Sequence, residues 1–222
     1  MTAAAPLGRI DGAEAFRRAF NVSRETMDRL EAYAALVRLW QPKINLIAPS
    51  TVGEIWHRHF ADSAQLDELI PLEARSLVDL GSGGGFPGMV LAVLRAERSK
   101  ATVTLIESDQ RKAAFLGEVS RRLVIPVEIL STRIESRETQ TRVALADVVT
   151  ARALAPMVKL LDWVAPFLGP ASVALLMKGR DAEREVAAAR SIWRFDVEYR
   201  PSRTDAEARI VLVRGLSAVG ET

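Results

Sequence analysis

From Ser76 onward the chain alternates between two periods, and that alternation restricts the fold more than any other feature. Apolar runs rich in β-branched residues fall at 76–80 (SLVDL), 102–107 (TVTLIE), 126–130 (PVEIL), 147–150 (DVVT) and 172–177 (SVALLM). Helical stretches lie between and after them, at 88–97, 111–123, 156–168 and 181–193. The repetition predicts an α/β fold: a doubly wound, Rossmann-like, mostly parallel sheet with helices on both faces. Two further runs, 195–199 (FDVEY) and 209–214 (RIVLVR), bring the strands to seven. Only the polar stretch RPSRTDAEA joins them. A crossover between parallel strands normally contains a helix, so this pair is expected as an antiparallel hairpin at the sheet's edge.

The 222 residues suit one large domain, or one with a small extension. Upstream of the sheet the pattern is helical. Ser23 can cap a helix whose apolar positions Met27, Leu30, Ala34 and Val37 recur at helical spacing, ending near Trp40. Thr51 with Glu54 reads as a capping box. It would open VGEIWHRHFADSAQLDELI, a helix that carries His57 and His59 and stops before Pro71. Residues 1–70 are therefore expected as a helical extension packed on a main domain at 71–222. The first residues, MTAAAPLGRIDG, read as a loose tail with no basic start or apolar core of a signal peptide. No apolar run reaches the ~18 residues a membrane span needs. With no cysteine in the chain, a cytoplasmic location is expected by default.

Between the first strand and the next helix lies VDLGSGGGFPGM. Glycines there permit a tight turn and close backbone approach to a ligand. Ligands of such sheets bind outside the carboxyl ends of the strands. Gly83, Gly85 and Gly88 satisfy the G-x-G-x-x-G dinucleotide fingerprint, but three features oppose a pyrophosphate. Asp79 would repel it, Pro87 removes a helix-terminal N–H, and the glycines start late after the strand. S-adenosylmethionine, with a sulfonium, an ammonium and no phosphate, fits better. Asp79 would then assist, contacting the cofactor directly or through water, or else cap the turn. Glu107 ends the second strand at the spacing where an acid meets a ribose hydroxyl pair. The third strand leads to STRIES, where a backbone N–H at Ile134 or Glu135 can read an adenine edge.

Taken together, VDLGSGGGFPGMVLAVL, LIESDQRKAAFLGEVSRRL, STRIE, VVTARALAPMVKLLDWVAPFL and LLMKG resemble the RsmG (GidB) family of bacterial methyltransferases. LVRLWQPKINLIAPST and HRHFADS resemble that family's lead-in segment. The similarity runs in order over roughly residues 25–215, and Phe86-Pro87-Gly88 is much more specific than the glycines before it. The resemblance implies a class I methyltransferase fold, S-adenosylmethionine as methyl donor and 16S rRNA as substrate. It implies N7 of the guanine at position 527 as target, in the small ribosomal subunit or an assembly intermediate. By motif match it places cofactor contacts on Gly81, Phe86, Ile134, Glu135 and Arg152, beside Asp79, Gly83, Gly85 and Glu107 from the turn and strand positions. Many relatives carry aspartate where this chain has Glu107, and either carboxylate can reach a ribose.

The chemistry is compatible. Guanine N7 carries an in-plane lone pair and no proton, so no general base is needed and the enzyme mainly positions and stabilises. The chain has no cysteine, hence no nucleophile for pyrimidine C5 methylation. With only two histidines as well, no metal site is expected. The fourth strand ends in VVTARALAP rather than the tetrapeptide commonly used on exocyclic amines. Ribose methylation stays open on chemistry alone.

Arg152, at the end of that strand, is the candidate catalytic residue by positioning. Its partner would be guanine O6, a phosphate or the cofactor, or alternatively Asp147 in a structural ion pair. Candidate RNA contacts are Arg58, His59, Lys112 and Lys178. For each a structural use competes: His59 with Asp62 can lock the N-terminal helix to the domain, and the lysines can be solvated. Phe115, Leu116, Val119 and Leu123 would face the sheet, with Arg111, Lys112, Arg121 and Arg122 near the ends of that helix. Trp40 reads as core. Net charge is +2, mostly from arginine, and favours a nucleic-acid partner only weakly. Nothing demands more than a monomer. The competing readings are a nicotinamide-dependent oxidoreductase, for which Tyr33 and Tyr199 lack a catalytic context, and a non-catalytic RNA-binding assembly factor.

Overall fold

The computed structural model describes residues 5–220. Its centre is a seven-stranded sheet in the order β3-β2-β1-β4-β5-β7-β6. The strands are β1 (Ser76–Leu80), β2 (Thr102–Ile106), β3 (Glu128–Leu130), β4 (Ala146–Arg152), β5 (Leu168–Lys178), β6 (Trp193–Pro201) and β7 (Arg209–Ala218). The first five run parallel; β7 is antiparallel to both β5 and β6. The expected hairpin is present, with β6 at the edge. Strand order reverses between β1 and β4, so their carboxyl ends diverge and open a crevice.

Helices cover both faces. They are α1 (Ala13–Phe20), α2 (Arg24–Trp40), the single turn α3 (Asp62–Ala64), α4 (Gly88–Arg95), α5 (Gln110–Leu123), α6 (Arg137–Arg142), α7 (Met157–Val164) and α8 (Ala182–Ala189). One core, under α2, α4 and α5, takes Leu77 of β1; the other, under α7 and α8, takes Val78 and Leu80. This alternation is the two-residue period of a strand buried on both sides. Phe115, Leu116, Val119 and Leu123 are buried as their spacing predicts, and Trp40 packs edge-on against Phe115 at 5.6 Å. None of the described helices is long and apolar enough to cross a membrane.

The N-terminal segment departs from expectation in three ways. Residues 1–4 of the expected loose tail lie outside the described residues, but the rest of it is tied down. Leu7 N–H donates to Arg203 O at 2.8 Å, and Ile10 is buried. Helix α1, unpredicted, follows at once and buries Phe16 against Trp56 and Phe60. Ser23 does cap α2, accepting from Thr26 N at 3.0 Å. The Thr51–Glu54 capping box does not form. Pro49–Glu54 is a 3₁₀ turn, because the Thr51 hydroxyl bonds Ala48 O (2.8 Å) rather than a helix N–H. The helix expected beyond it is π-helical over Trp56–Ala61, with Asp62 N–H reaching back to His57 O. Such wide turns recur at functional sites. This one delivers His59 to the interior while Arg58 faces out.

The glycine turn is shaped by close approach. A Cβ on Gly85 (φ +91°) would lie 2.1 Å from the Tyr33 hydroxyl, and one on Gly88 2.5 Å from Cβ of Asp79 and 2.6 Å from Leu105. Tyr33 also donates a hydrogen bond to Gly84 O, fastening α2 to the turn. Gly88→Ala is therefore expected to destabilise the fold by ~1–3 kcal/mol through overpacking. Gly117→Ala, where nothing lies within 4 Å of the added methyl on α5, should stabilise it by about 0.5–1 kcal/mol. Urea midpoints of the two variants, moving in opposite directions, check this.

Candidate active site

Two cavities open at the carboxyl ends of the parallel strands. The smaller, about 420 Å³, is lined by Gly81, Gly83, Glu107, Lys112, Ile134 and Glu135, with Leu154 and Trp163 closing its far wall. The larger, about 540 Å³, lies between the π-helical stretch, the glycine turn and the β6–β7 loop; Arg58, His59, Asp62, Phe86 and Thr204 line it. Gly81, Gly83, Arg152 and Ala153 belong to both and mark the seam. Ala153 turns the chain there with φ +48°, a left-handed conformation that costs a non-glycine residue energy and clusters at functional sites.

The smaller cavity suits a nucleoside without phosphates. Glu107 is buried; its Oε2 accepts from Gly83 N and its Oε1 from Asp109 N, each at 2.8 Å. A carboxylate oxygen has two acceptor sites, so a ribose hydroxyl pair can share them. Ile134 supplies an apolar flank, and Glu135 lies beside it with Arg133 at 3.6 Å. Two carboxylates in one small crevice disfavour a pyrophosphate. Gly85, which the dinucleotide fingerprint would turn toward the phosphates, faces Tyr33 and Leu116 instead.

Several expectations need correction. Asp79 lines neither cavity. Strand period points it beneath the turn, where it is fully buried against Gly88. Its Oδ1 accepts from the Thr150 hydroxyl at 2.7 Å, and its Oδ2 has no hydrogen-bond partner. Burial pushes its carboxyl up to about 6, against the pull of Thr150 and of the Arg152 charge. It supports the turn rather than the ligand. Gly85 likewise packs inward. Phe86 is on the larger cavity's side, stacked on Tyr33 (centroids 5.4 Å apart, 9° between planes) and below His59. Lys112 is in the smaller cavity, away from the larger one that holds Arg58 and His59. Lys178 is held by Glu185 (2.6 Å) and Ala155 O (2.8 Å), because the loop after β4 needs a cation to gather its carbonyl and the α8 carboxylate. Arg58, exposed at the larger cavity, pairs with Asp205 at 3.1 Å.

Arg152 has no contact with Asp147, which sits at the other end of β4 and accepts from Arg75 N and Ser76 N. Its guanidinium lies 5.4 Å from the Phe86 ring centre and joins the N-terminal segment. Nη1 donates to Arg58 O (3.2 Å) and Asp62 Oδ2 (3.4 Å), and Nη2 donates to His59 Nδ1 (2.9 Å). The sequence offered no sign of the opposite wall. The loop joining β6 to β7 places Thr204 on Asp62 Oδ1 (2.6 Å), and Gln65 bonds both Asp62 and Ser202. Polar loops carry no periodic signal, so these partners are visible only in three dimensions.

A doubly wound sheet with this crevice beside its glycine turn defines a class I S-adenosylmethionine-dependent methyltransferase. Solved structures share the fold. The S-adenosylhomocysteine-bound methyltransferase PaMTH1 of Podospora anserina superposes with a TM-score of 0.56 at 14% identity, over 87% of this chain and 96% of that one. A Geobacter sulfurreducens methyltransferase gives 0.54 at 11% identity, over 95% and 99%. Residues 26–209 match the family profile described as GidB, rRNA small subunit methyltransferase G. Relatives named ribosomal RNA small subunit methyltransferase G are 47% identical in Parvibaculum lavamentivorans, over 92% of this chain and 89% of that one, and 50% identical in Rhodospirillum centenum, over 92% and 91%. The chain belongs to this family, and S-adenosylmethionine is its cofactor.

His59 makes the site's electrostatics testable. Burial, then the Arg152 and Arg58 charges, lower its pKa to about 3. Imidazole NMR signals of His59 should therefore not titrate between about pH 5 and 8. Because the folded pKa lies below the ordinary 6.5, its contribution to stability is complete above that value and is lost as pH falls toward about 3.

Proposed function

We propose that this chain methylates N7 of the guanine at position 527 of 16S rRNA, with Arg152 positioning the base at the seam of the two cavities. The observation that carries the reading is the state of Arg152. Its Nε–H and one Nη2–H have no partner among the described residues, while its other donors are fixed by Arg58 O, Asp62 and His59. An arginine held on one edge and open on the next suits a single acceptor such as guanine O6; gripping N7 as well, as in groove readout, would block the reacting atom.

S-adenosylmethionine supplies an electrophilic methyl group on a sulfonium. Gly81, Gly83, Glu107, Ile134 and Glu135 would hold it in the smaller cavity, leaving the larger one to the base. The N7 lone pair needs no proton removed, so His59, neutral and committed to Arg152, need not act as a base. Methylation leaves the guanine ring cationic, and Asp62 and Asp205 in the larger cavity favour that charge. Arg58 stands at the same cavity, half-exposed, where a phosphate of the RNA backbone can share it with Asp205. The substrate is taken as the small subunit or an assembly intermediate, met by a monomer in the cytoplasm.

Small subunits from cells lacking the protein provide the test. Wild-type protein and labelled methyl donor should introduce 7-methylguanosine at one position of 16S rRNA, located by nucleoside mass mapping. Arg152→Ala should lower kcat by roughly 10²-fold or more when assayed at a temperature where the variant, though destabilised, remains folded. Methylation elsewhere, or none, overturns the assignment.

A further inference from the structure

We propose that Thr51 and Thr204 are positioning residues for methyl transfer, fixing the Arg152 guanidinium from opposite sides through His59 and Asp62. The inference rests on the reading that Arg152 orients the target base.

The argument is one of hydrogen-bond direction. An arginine can only donate, so His59 Nδ1, 2.9 Å from Arg152 Nη2, must accept. A neutral imidazole then carries its proton on Nε2. That nitrogen is 2.7 Å from the Thr51 hydroxyl, which therefore accepts. The hydroxyl's own proton goes to Ala48 O at 2.8 Å. Every link in Arg152–His59–Thr51–Ala48 has one permitted direction, and the chain ends on a backbone carbonyl of the 3₁₀ turn. Ala48 O also accepts from Thr51 N at 2.9 Å, so the terminus is itself anchored.

The second side ends on the β6–β7 loop. Asp62 Oδ2 accepts from Arg152 Nη1 (3.4 Å), and its Oδ1 accepts from the Thr204 hydroxyl (2.6 Å) and from Gln65 Nε2 (2.9 Å). Thr204 is in turn held through its carbonyl by His57 Nε2 (3.0 Å), and its neighbour Arg203 N donates to Gln65 Oε1 (2.8 Å). A side chain as flexible as arginine gains a defined orientation only when its partners are themselves oriented. Both threonine hydroxyls are committed to that task, so neither need touch the base.

The test compares Thr51→Val, Thr51→Ser, Thr204→Val and Thr204→Ser with wild type in the small-subunit assay, alongside thermal unfolding and ¹⁵N spectra of His59. Each valine variant should lower kcat about tenfold while both KM values stay within about twofold, and each serine variant should recover wild-type kcat within about twofold. Thr51→Val added to Arg152→Ala should cost nothing further. In Thr51→Val the His59 Nε2–H should keep its tautomer, which Arg152 sets, but lose its acceptor, seen as a shifted Nε2 ¹⁵N signal and faster exchange of its proton with solvent. Should that variant unfold, Thr51→Ala takes its place. If wild type transfers no methyl group, the reading of the reaction fails. If wild type is active and the valine variants match it, or folded serine variants are as slow as valine, the positioning inference fails alone.

Discussion

The N-terminal segment meets the end of β4 at one cation. Arg152 donates to three residues of the π-helical stretch and the turn after it, and its guanidinium lies against Phe86 of the glycine turn. Removing those partners would leave a mostly buried guanidinium without acceptors, which costs more than a lost surface pair. The contact is thus both a fastening between sheet and extension and the place where the two cavities join. Fold and the proposed reaction place the same demand on it, because a fixed arginine at the seam requires the extension to be docked.

Two buried titratable groups flank this contact and shift in opposite directions. Asp79 is pushed up to about 6 chiefly by burial, while burial and two arginines push His59 down to about 3. For Asp79 the protonated form is the one the fold favours, so its contribution is complete below its ordinary value and lost as pH rises through about 6. His59 contributes in the opposite sense, gaining as pH rises from about 3 to its unfolded value. Between the unfolded pKa of the acid and the folded one their slopes oppose.

The sheet was legible in the sequence because its information is periodic. Alternating apolar runs located the seven strands, and a helix-free linker located the antiparallel pair. The Ser23 cap and the buried face of α5 were legible for the same reason. Helix α1 was not: its eight residues follow a glycine that offers no side-chain cap, and it is held by Phe16 packing on Trp56 and Phe60. Short helices depend on such tertiary contacts. Thr51 was misjudged because a capping-box pattern does not reveal whether the hydroxyl has a better acceptor nearby. The direction of Asp79 was recoverable, since strand period places it on the face of Leu77, toward α4. Its acidity beside a glycine turn suggested a ligand contact more strongly than that geometry allowed.

The division of labour along the chain follows from where the cavities are. Their lining begins at Leu46 and ends at Ile210, so all of it but the last residue falls within the matched family region at 26–209. The described residues before that region line neither cavity. Leu7 binds the loop that carries Thr204, Ile10 N–H donates to His57 at 3.3 Å, and Phe16 covers Trp56 and Phe60. Each of these contacts bears on the helical stretch or the loop that meets Arg152. These first residues therefore act at one remove, by ordering the two walls between which the arginine is held. Changes there should be felt through rigidity of the larger cavity rather than through contact with either ligand.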